Sequence, residues 1–283
     1  MPSILIADSG ATKCEWCFID EKEQTKIITS GISPYFTDKE EIKKIIQLEV
    51  SANLKHPAEA VYFYGTGLGN PTNIQLINEL LKSIFPAARI FTGTDMLAAA
   101  RALAQQDKGV VNILGTGSNC CFYNGKKITK NRPALGYVLG DEGSGAYLGK
   151  RVIQYYLYET FDEELTRAFD LRFHTTKDEI LEKVYKQPQA SRYLAGFAYF
   201  LAENRGHYMV ENILEDGLND FFFKHISRLR ESWIYPLNFI GSVADGFKDV
   251  IKSLCDDYEF ELGKVLKQPM PGLIKYHLTA GDQ

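Results

Sequence analysis

Two glycine-bearing turns, each preceded by an apolar run, constrain the fold of this sequence more than any other feature. The first is Asp8-Ser9-Gly10-Ala11-Thr12-Lys13, and the second is Leu114-Gly115-Thr116-Gly117-Ser118-Asn119. Glycine permits positive φ and close approach, so the backbone N–H groups of such turns can converge on an anion. A single turn of this kind is typical of hairpins and strand ends. Two in order, with a carboxylate only in the first, indicate the two halves of a phosphate clamp.

The chain divides into two similar halves. Strand-like runs, a helix and two strand–helix pairs fill residues 4–106, and the same series begins again at residue 110. The first helix is predicted from Thr37, where Thr37 and Glu40 have the spacing of a capping box. Apolar residues at three- and four-residue spacing predict mainly helices from 152 to 226. A strand at 237–240 then leads into another glycine turn and helix, so the pattern predicts an α/β protein with a repeated plan.

Composition narrows the class of protein. The 283 residues are 45% hydrophobic, which suffices for two domain cores. With 32 Lys+Arg against 36 Asp+Glu the net charge is −4, and no basic block marks a nucleic-acid partner. No apolar run is long enough to span a membrane, and the first residues lack the basic region of a signal peptide. We therefore expect a cytoplasmic protein with neither nucleic-acid nor membrane partners.

The five cysteines are not expected to bind metal or to act in redox chemistry. Cys14 and Cys17 have C-x-x-C spacing, but they lie in a strand-like run, where side chains three apart point to opposite faces. Cys120 and Cys121 also follow a glycine turn in a strand-like run and are interpreted as core residues. Reduced cysteines fit a cytoplasmic compartment.

Four motifs together resemble the BadF/BadG/BcrA/BcrD ATPase family, and within it the N-acetylglucosamine kinase branch of the sugar-kinase, Hsp70 and actin superfamily. They are the two glycine turns, Gly140-Asp141-Glu142-Gly143-Ser144-Gly145 and Phe239-Ile240-Gly241-Ser242-Val243-Ala244. The resemblance implies two RNase H-like, actin-like ATPase domains with a central nucleotide cleft. We expect an N-terminal domain at 1–107, with a C-terminal helix at about 266–283 returning to it. The second domain is expected at 108–265, with a helical insertion at about 150–232.

The resemblance implies ATP and Mg²⁺ as cofactors. Asp8 would hold Mg²⁺ through water, because Mg²⁺ dehydrates reluctantly and the phosphates supply its other ligands. Lys13 would contact terminal phosphate oxygens, but it is equally well explained as a solvated charge on a strand. The residues expected to contact the nucleotide are Gly10, Thr12, Lys13, Gly115, Thr116, Gly117, Ser118, Gly241 and Ser242.

Asp95 is the candidate catalytic base. It follows the strand-like run 89–92 and opens a helix, so local sequence alone favours a helix N-cap. Its position between the two glycine turns matches the family aspartate in Thr94-Asp95-Met96-Leu97-Ala98-Ala99. Phosphoryl transfer to an alcohol needs a carboxylate that orients the hydroxyl and accepts its proton.

The substrate implied by the resemblance is an amino sugar, with Asp141 accepting hydrogen bonds from its hydroxyls and Glu142 supporting the turn. Ala134, Leu135 and Gly136 would line the same pocket, with Leu135 replacing the tryptophan of the family pattern. The sugar kinases carry a substrate-binding asparagine near Ser33, so Ser33 is a further candidate substrate-binding residue. Its shorter hydroxyl has a different reach, which leaves the identity of the sugar open.

The expected function is ATP-dependent phosphorylation of a hydroxyl on N-acetylglucosamine, a related N-acetylhexosamine or a muramic-acid relative. Two alternatives stay open at this point, an ATPase activator of an iron–sulfur enzyme and a nucleotide-dependent binding module without sugar turnover. A homodimer is expected from the resemblance alone.

Overall fold

A computed structural model describes residues 3–10, 13–21, 23–35 and 37–279. The chain forms two compact units. Unit 1 comprises Met1–Gln105 and Pro269–Gln283, and unit 2 comprises Gln106–Gln268. Within these described residues, each unit contains one five-stranded mixed sheet.

The sheet of unit 1 combines an antiparallel meander with two parallel strands. Its strands are β1 (Ile4–Ser9), β2 (Lys13–Ile19), β3 (Gln24–Ser30), β4 (Ala60–Gly65) and β5 (Arg89–Thr94), in the order β3-β2-β1-β4-β5. β1 pairs antiparallel with β2 and parallel with β4, and β5 extends the parallel part. The helices up to residue 105 are α1 (Lys39–Lys44), continued by a π-helical segment (Ile45–Val50) and a 3₁₀ turn (Ser51–Asn53), α2 (Pro71–Ile84) and α3 (Asp95–Ala104).

Alternating side chains of this sheet enter two separate cores. Leu5, Cys14 and Trp16 pack with apolar residues of α1 and α2. Ile6 and Cys17 pack on the opposite face with residues of α3. Successive side chains of a strand point to opposite faces. The expectation that Cys14 and Cys17 face opposite sides is therefore confirmed.

Unit 2 repeats the same sheet plan. Its strands are β6 (Lys108–Leu114), β7 (Ser118–Asn124), β8 (Ile128–Asn131), β9 (Leu237–Ile240) and β10 (Leu262–Leu266), in the order β10-β9-β6-β7-β8. β6 pairs antiparallel with β7 and parallel with β9, as β1 does with β2 and β4. The predicted α/β fold with a repeated plan is thereby confirmed.

Most helices of unit 2 lie between β8 and β9. They are α4 (Gly136–Leu139), α5 (Gly145–Leu157), α6 (Glu163–Phe173), α7 (Lys177–Tyr185), α8 (Ala190–Gly196), α9 (Ala198–Glu203) and α10 (Tyr208–Lys224), followed by 3₁₀ turns at Ile226–Arg228 and Arg230–Trp233. After β9 come α11 (Ser242–Gly246) and α12 (Lys248–Asp257). Among the described residues, none of the helices is long and apolar enough to cross a bilayer.

The capping box predicted at Thr37–Glu40 is wrong. α1 begins at Lys39, and the side chain of Asp38 accepts a hydrogen bond of 2.9 Å from the backbone N–H of Glu41. Aspartate is among the strongest N-cap residues because its short carboxylate reaches the N3 amide. The N-cap therefore lies one residue later than the spacing indicated.

The last helix, α13 (Met270–Thr279), belongs to unit 1. Leu273 of α13 is buried with Ala98 and Ala102 of α3. The helix expected from about residue 266 begins at Met270, because Leu266 ends β10, a strand that the sequence analysis missed. Residues 280–283 lie outside the described part of the chain.

Candidate functional site

In unit 2, three of the predicted motifs meet at the end of β6. The backbone N–H of Gly145, in the acidic turn, donates to the carbonyl of Gly115 at 2.8 Å, and that of Ala146 donates to the carbonyl of Thr116 at 3.1 Å. Gly241 has φ +126°, and a Cβ there would overlap the carbonyl oxygen of Leu114. The third motif therefore reaches the glycine turn only because residue 241 is glycine.

A cavity of about 510 Å³ opens at this junction. Its lining includes Gly115, Thr116, Gly145, Arg192, Ser242 and Lys267. The volume suits a small-molecule ligand, and the lining combines glycine surfaces with two cationic side chains. Of the predicted nucleotide-binding residues, the structure thus places Gly115, Thr116 and Ser242 around one cavity.

The sequence analysis missed four polar side chains of this cavity: Arg192, Tyr199, Asp245 and Lys267. Arg192 and Tyr199 lie on α8 and α9, inside the helical segment, and Lys267 follows the strand that was not predicted. Asp245 directly follows the predicted motif 239–244 and could have been found from it. No motif or spacing marks the other three positions, which reach the cavity through the packing of α8, α9 and β10.

Asp141 lies directly against the glycine turn. A Cβ on Gly117 would sit 3.0 Å from Asp141 Oδ2, and the Ser118 N–H donates to Asp141 Oδ1 at 3.5 Å. Burial raises the pKa of the Asp141 carboxyl above its ordinary value, and the Ser118 N–H acts in the opposite direction. The acid expected to bind sugar is therefore in contact with the turn expected to bind phosphate.

Glu142 anchors the acidic turn to α10. His225 Nε2 lies 3.0 Å from Glu142 Oε2, and Lys224 Nζ lies 3.4 Å from Glu142 Oε1. Burial alone would raise the pKa of Glu142, but the hydrogen bond with His225 and the nearby cationic groups lower it overall. Glu142 thus has the supporting role expected for it.

The segment Ala134, Leu135 and Gly136 is exposed and leads into the acidic turn. Gly136 has φ +72° and begins α4, and its carbonyl accepts a hydrogen bond of 2.8 Å from the N–H of Gly140. Leu135 is 58% exposed, so its apolar surface is accessible to a ligand. The segment forms an accessible rim beside Asp141.

In unit 1, Asp8 and Asp95 lie at one edge of the sheet. Asp8 pairs in register with Tyr64 of β4, which pairs with Gly93 of β5, two residues before Asp95. Burial raises the pKa of Asp8 to about 7, and the negative charges of Asp95 and Glu15 contribute to the rise. Burial also raises the pKa of Asp95, opposed by a hydrogen bond of 2.8 Å from the Met96 N–H. The two carboxyl groups are therefore electrostatically coupled.

The alternative that Asp95 is a helix N-cap is wrong. Thr94 is the N-cap of α3, and its hydroxyl accepts a hydrogen bond of 3.1 Å from the Leu97 N–H. Asp95 is the first residue inside the helix and is only partly buried. Since Thr94 supplies the cap, α3 does not need the Asp95 carboxyl as its N-cap, although that carboxyl also accepts a hydrogen bond from the Met96 N–H.

The turn after β1 is described at Gly10 and Lys13, whereas Thr12 lies outside the described residues. The Gly10 N–H donates to the Lys13 carbonyl at 2.9 Å, and Lys13 Nζ lies 3.6 Å from Glu15 Oε2 with its side chain half exposed. Ser33 is fully buried, and its hydroxyl makes no hydrogen bond to the described residues. Gly10 and Lys13 are thus exposed close to Asp8 in the chain, while Ser33 is covered.

No family model matches the chain, but two similar proteins both carry the name of an N-acetylglucosamine kinase. A crystal structure of a candidate N-acetylglucosamine kinase from Porphyromonas gingivalis is 40% identical, with a TM-score of 0.90 and coverage of 97% of this chain and 98% of that one. The N-acetylmuramic acid/N-acetylglucosamine kinase of Clostridium acetobutylicum is 21% identical over 238 residues, 78% of each chain.

The fold recurs in more distant proteins. MreB 5 of Spiroplasma citri, in a structure bound to AMPPNP, has a TM-score of 0.60 at 8% identity, over 99% of this chain and 97% of that one. At such low identity the likeness concerns the fold alone. It shows that the chain has the actin-like fold. The identity and coverage of the Porphyromonas gingivalis protein show that the chain belongs to the N-acetylglucosamine kinase family of sugar kinases.

Proposed function

We propose that the protein transfers the terminal phosphoryl group of ATP to a hydroxyl of N-acetylglucosamine or a related N-acetylhexosamine. The observation that carries the proposal is the Asp8 and Asp95 pair at one sheet edge, where Thr94 leaves Asp95 free of the capping role. The candidate kinase from Porphyromonas gingivalis and the kinase from Clostridium acetobutylicum support the choice of sugar.

The nucleotide would occupy the cavity of unit 2. Backbone N–H groups of the glycine turn, from Gly115 to Ser118, would bind phosphate oxygens, and Gly241 and Ser242 would lie against the nucleoside. Arg192 and Lys267 add positive charge to the lining. The AMPPNP bound to the Spiroplasma citri protein of the same fold supports ATP as the donor.

Asp8 fits a site for Mg²⁺. It offers oxygen ligands, and its carboxyl is held partly protonated near pH 7 by burial and by the charge of Asp95, a strain that a divalent cation would relieve. When bound, Mg²⁺ would neutralise charge on the phosphates. We propose that Gly10, Thr12 and Lys13 contact phosphate oxygens from the same turn.

Asp95 would act as the catalytic base, orienting the acceptor hydroxyl and accepting its proton as the phosphoryl group transfers. Its raised pKa brings it closer to the range in which a carboxylate accepts a proton effectively. The position of Asp95 at the N-terminus of α3 acts in the opposite direction, because the helix dipole stabilises the charged form of its carboxyl.

For the sugar, we propose that Asp141 accepts hydrogen bonds from hydroxyl groups and that Ala134, Leu135 and Gly136 form the rim of its pocket. A contact from Ser33 requires the loop 31–35 to open, because its side chain is fully buried.

We also propose a cytoplasmic location and a homodimer. The exposed apolar side chains of Val138, Leu139 and Tyr185 support the dimer, and a one-protomer mass in sedimentation would contradict it.

The central test is the substitution Asp95→Asn, which keeps the shape of the side chain but removes its basicity. We expect kcat for N-acetylglucosamine phosphorylation to fall by about 10²- to 10⁴-fold, with AMPPNP affinity unchanged. A coupled ADP-release assay over several acetylated hexosamines, glucose and muramic-acid derivatives measures the first quantity, and isothermal titration measures the second.

Asp257→Asn is the matched control, since Asp257 is exposed at the end of α12 and the change in charge is the same. Wild-type turnover in Asp95→Asn would remove Asp95 from the mechanism. Turnover with none of these sugars in the wild-type protein would overturn the proposed function itself.

A further inference from the structure

The Asp141 carboxylate lies against the glycine turn of unit 2, the turn that is proposed to bind phosphate. The carboxylate accepts from the Ser118 N–H at 3.5 Å, and its Oδ2 approaches Gly117 so closely that a Cβ there would lie only 3.0 Å away. An anionic group of the protein itself therefore occupies one of the positions that a turn of this kind offers to an anion.

The acidic turn is held firmly in that position. Ser144 N–H donates to the Asp141 carbonyl at 3.1 Å, and Gly145 N–H donates to the Gly115 carbonyl at 2.8 Å. Glu142 is tied to His225 of the same unit at 3.0 Å. The backbone of the acidic turn is hydrogen-bonded to the glycine turn. The carboxylate can therefore move away from the Ser118 N–H only by rotation of the Asp141 side chain.

A phosphate and a carboxylate cannot both make full use of this N–H. Each is an acceptor, one N–H serves one acceptor well, and two negative groups a few ångströms apart repel each other. The hydroxyl of Ser118 is buried and makes no hydrogen bond to the described residues, so the turn has a second polar group awaiting a partner. A phosphate bound to the Ser118 N–H would therefore have to displace or neutralise Asp141.

We propose that the Asp141 carboxylate competes with the terminal phosphate of the nucleotide for the Ser118 N–H, and that a sugar bound to Asp141 relieves this competition. The inference rests on the proposed function, which places phosphate on the glycine turn and sugar hydroxyls on Asp141. Sugar and nucleotide then strengthen each other's binding, and the linkage is reciprocal. The arrangement also disfavours ATP binding, and hence wasteful hydrolysis, before the sugar is present.

The test is the affinity of the whole protein for AMPPNP with Mg²⁺, in the absence of sugar, measured by isothermal titration. Asp141→Asn removes the charge but keeps the side-chain shape, and asparagine tolerates the φ of +55° at this position. We expect about tenfold tighter AMPPNP binding in Asp141→Asn, from the loss of one close negative charge. Asp257→Asn, with the same change in net charge on the surface of α12, should bind as the wild type does.

Two further measurements make the sign decisive. Saturating N-acetylglucosamine should tighten AMPPNP binding to the wild type and leave Asp141→Asn unchanged. Asp141→Gly, in which glycine adopts positive φ most readily, should reproduce the tighter sugar-free binding if the asparagine variant is poorly folded.

Unchanged or weaker sugar-free AMPPNP binding in both variants would overturn the inference. If that weakening disappears when the titration is repeated without Mg²⁺, Asp141 is a cation ligand instead. If the wild type phosphorylates sugar but the variants bind AMPPNP as it does, the inference alone fails. If the wild type binds no AMPPNP, the proposed function fails with it.

Discussion

The pKa of the Asp8 carboxyl lies close to neutrality, and this makes the free energy of unfolding depend on pH. The carboxyl is raised from 3.8 to about 7 in the folded protein, chiefly by burial. Between about pH 4 and pH 7 the folded state therefore holds a proton that the unfolded state has lost. The free energy of unfolding must fall as pH rises through this window, because ionising Asp8 is harder in the folded protein.

Asp8→Asn should remove this dependence in the ligand-free protein. We expect the variant to be more stable than the wild type at pH 8, by on the order of 1–3 kcal/mol, and nearly equal to it at pH 4. Urea unfolding at the two pH values measures the difference, with Asp257→Asn as the control. A stability gain of the same size at both pH values would contradict the pKa assigned to Asp8.

Single residues could be predicted from sequence where their role depends on the neighbouring chain. Asp8 and Asp95 each follow a strand-like run, and parallel strands bring their carboxyl ends to one edge. Glu142 and His225, in contrast, are 83 positions apart. Their pairing depends on how α10 packs over the acidic turn, and no local pattern reports such a packing.

At the scale of elements, α13 and α3 approach unusually closely. A Cβ on Gly272 would overlap the backbone of Ala102, and Gln105 Nε2 donates to the Gly272 carbonyl at 3.0 Å. Arg101 of α3 donates to the Tyr64 hydroxyl at 2.5 Å, and that hydroxyl lies 2.9 Å from His277 Nε2 of α13. The helix that begins with Asp95 is therefore fixed in place by the last helix of the chain.

Gly272→Ala should force the two helices apart. We expect a loss of about 1–3 kcal/mol in the free energy of unfolding, the usual cost of overpacking a tight contact. Gly69→Ala is the matched control, because a Cβ there meets no atom within 4 Å. Thermal unfolding of both variants provides the comparison, and equal melting temperatures would show that the contact at Gly272 relaxes without cost.

Elements with a clear period were predicted, whereas β10 was not. Its sequence Leu262-Gly263-Lys264-Val265-Leu266 is short, and its residues are partly exposed. Gly263 is required because a Cβ there would lie 2.6 Å from Asn238 Oδ1 of β9. A glycine inside a short run indicates a loop when read alone. The parallel partner β9 makes it a strand.

Across the whole molecule, all five cysteines are buried and free. Burial raises the pKa of the Cys121 and Cys255 thiols to about 12, and it also raises the pKa of Cys14, Cys17 and Cys120. Neutral, inaccessible thiols react slowly. The burial of all five cysteines therefore does not favour the iron–sulfur activator alternative.

The native protein should accordingly react with a thiol reagent such as Ellman's reagent at far fewer than five cysteines within minutes, and at all five after denaturation. The same preparation should be colourless and free of iron. A rapidly reacting thiol in the native state, or an iron chromophore, would reopen the activator function.

Unit 1 is assembled from two stretches of chain, with all of Gln106–Gln268 between them. On the ribosome, unit 2 emerges as one continuous nascent segment, while unit 1 waits for α13. At common elongation speeds the delay is on the order of ten seconds. Throughout that time the apolar face of α3 at Ala98 and Ala102, which α13 later covers, stays open to chaperones.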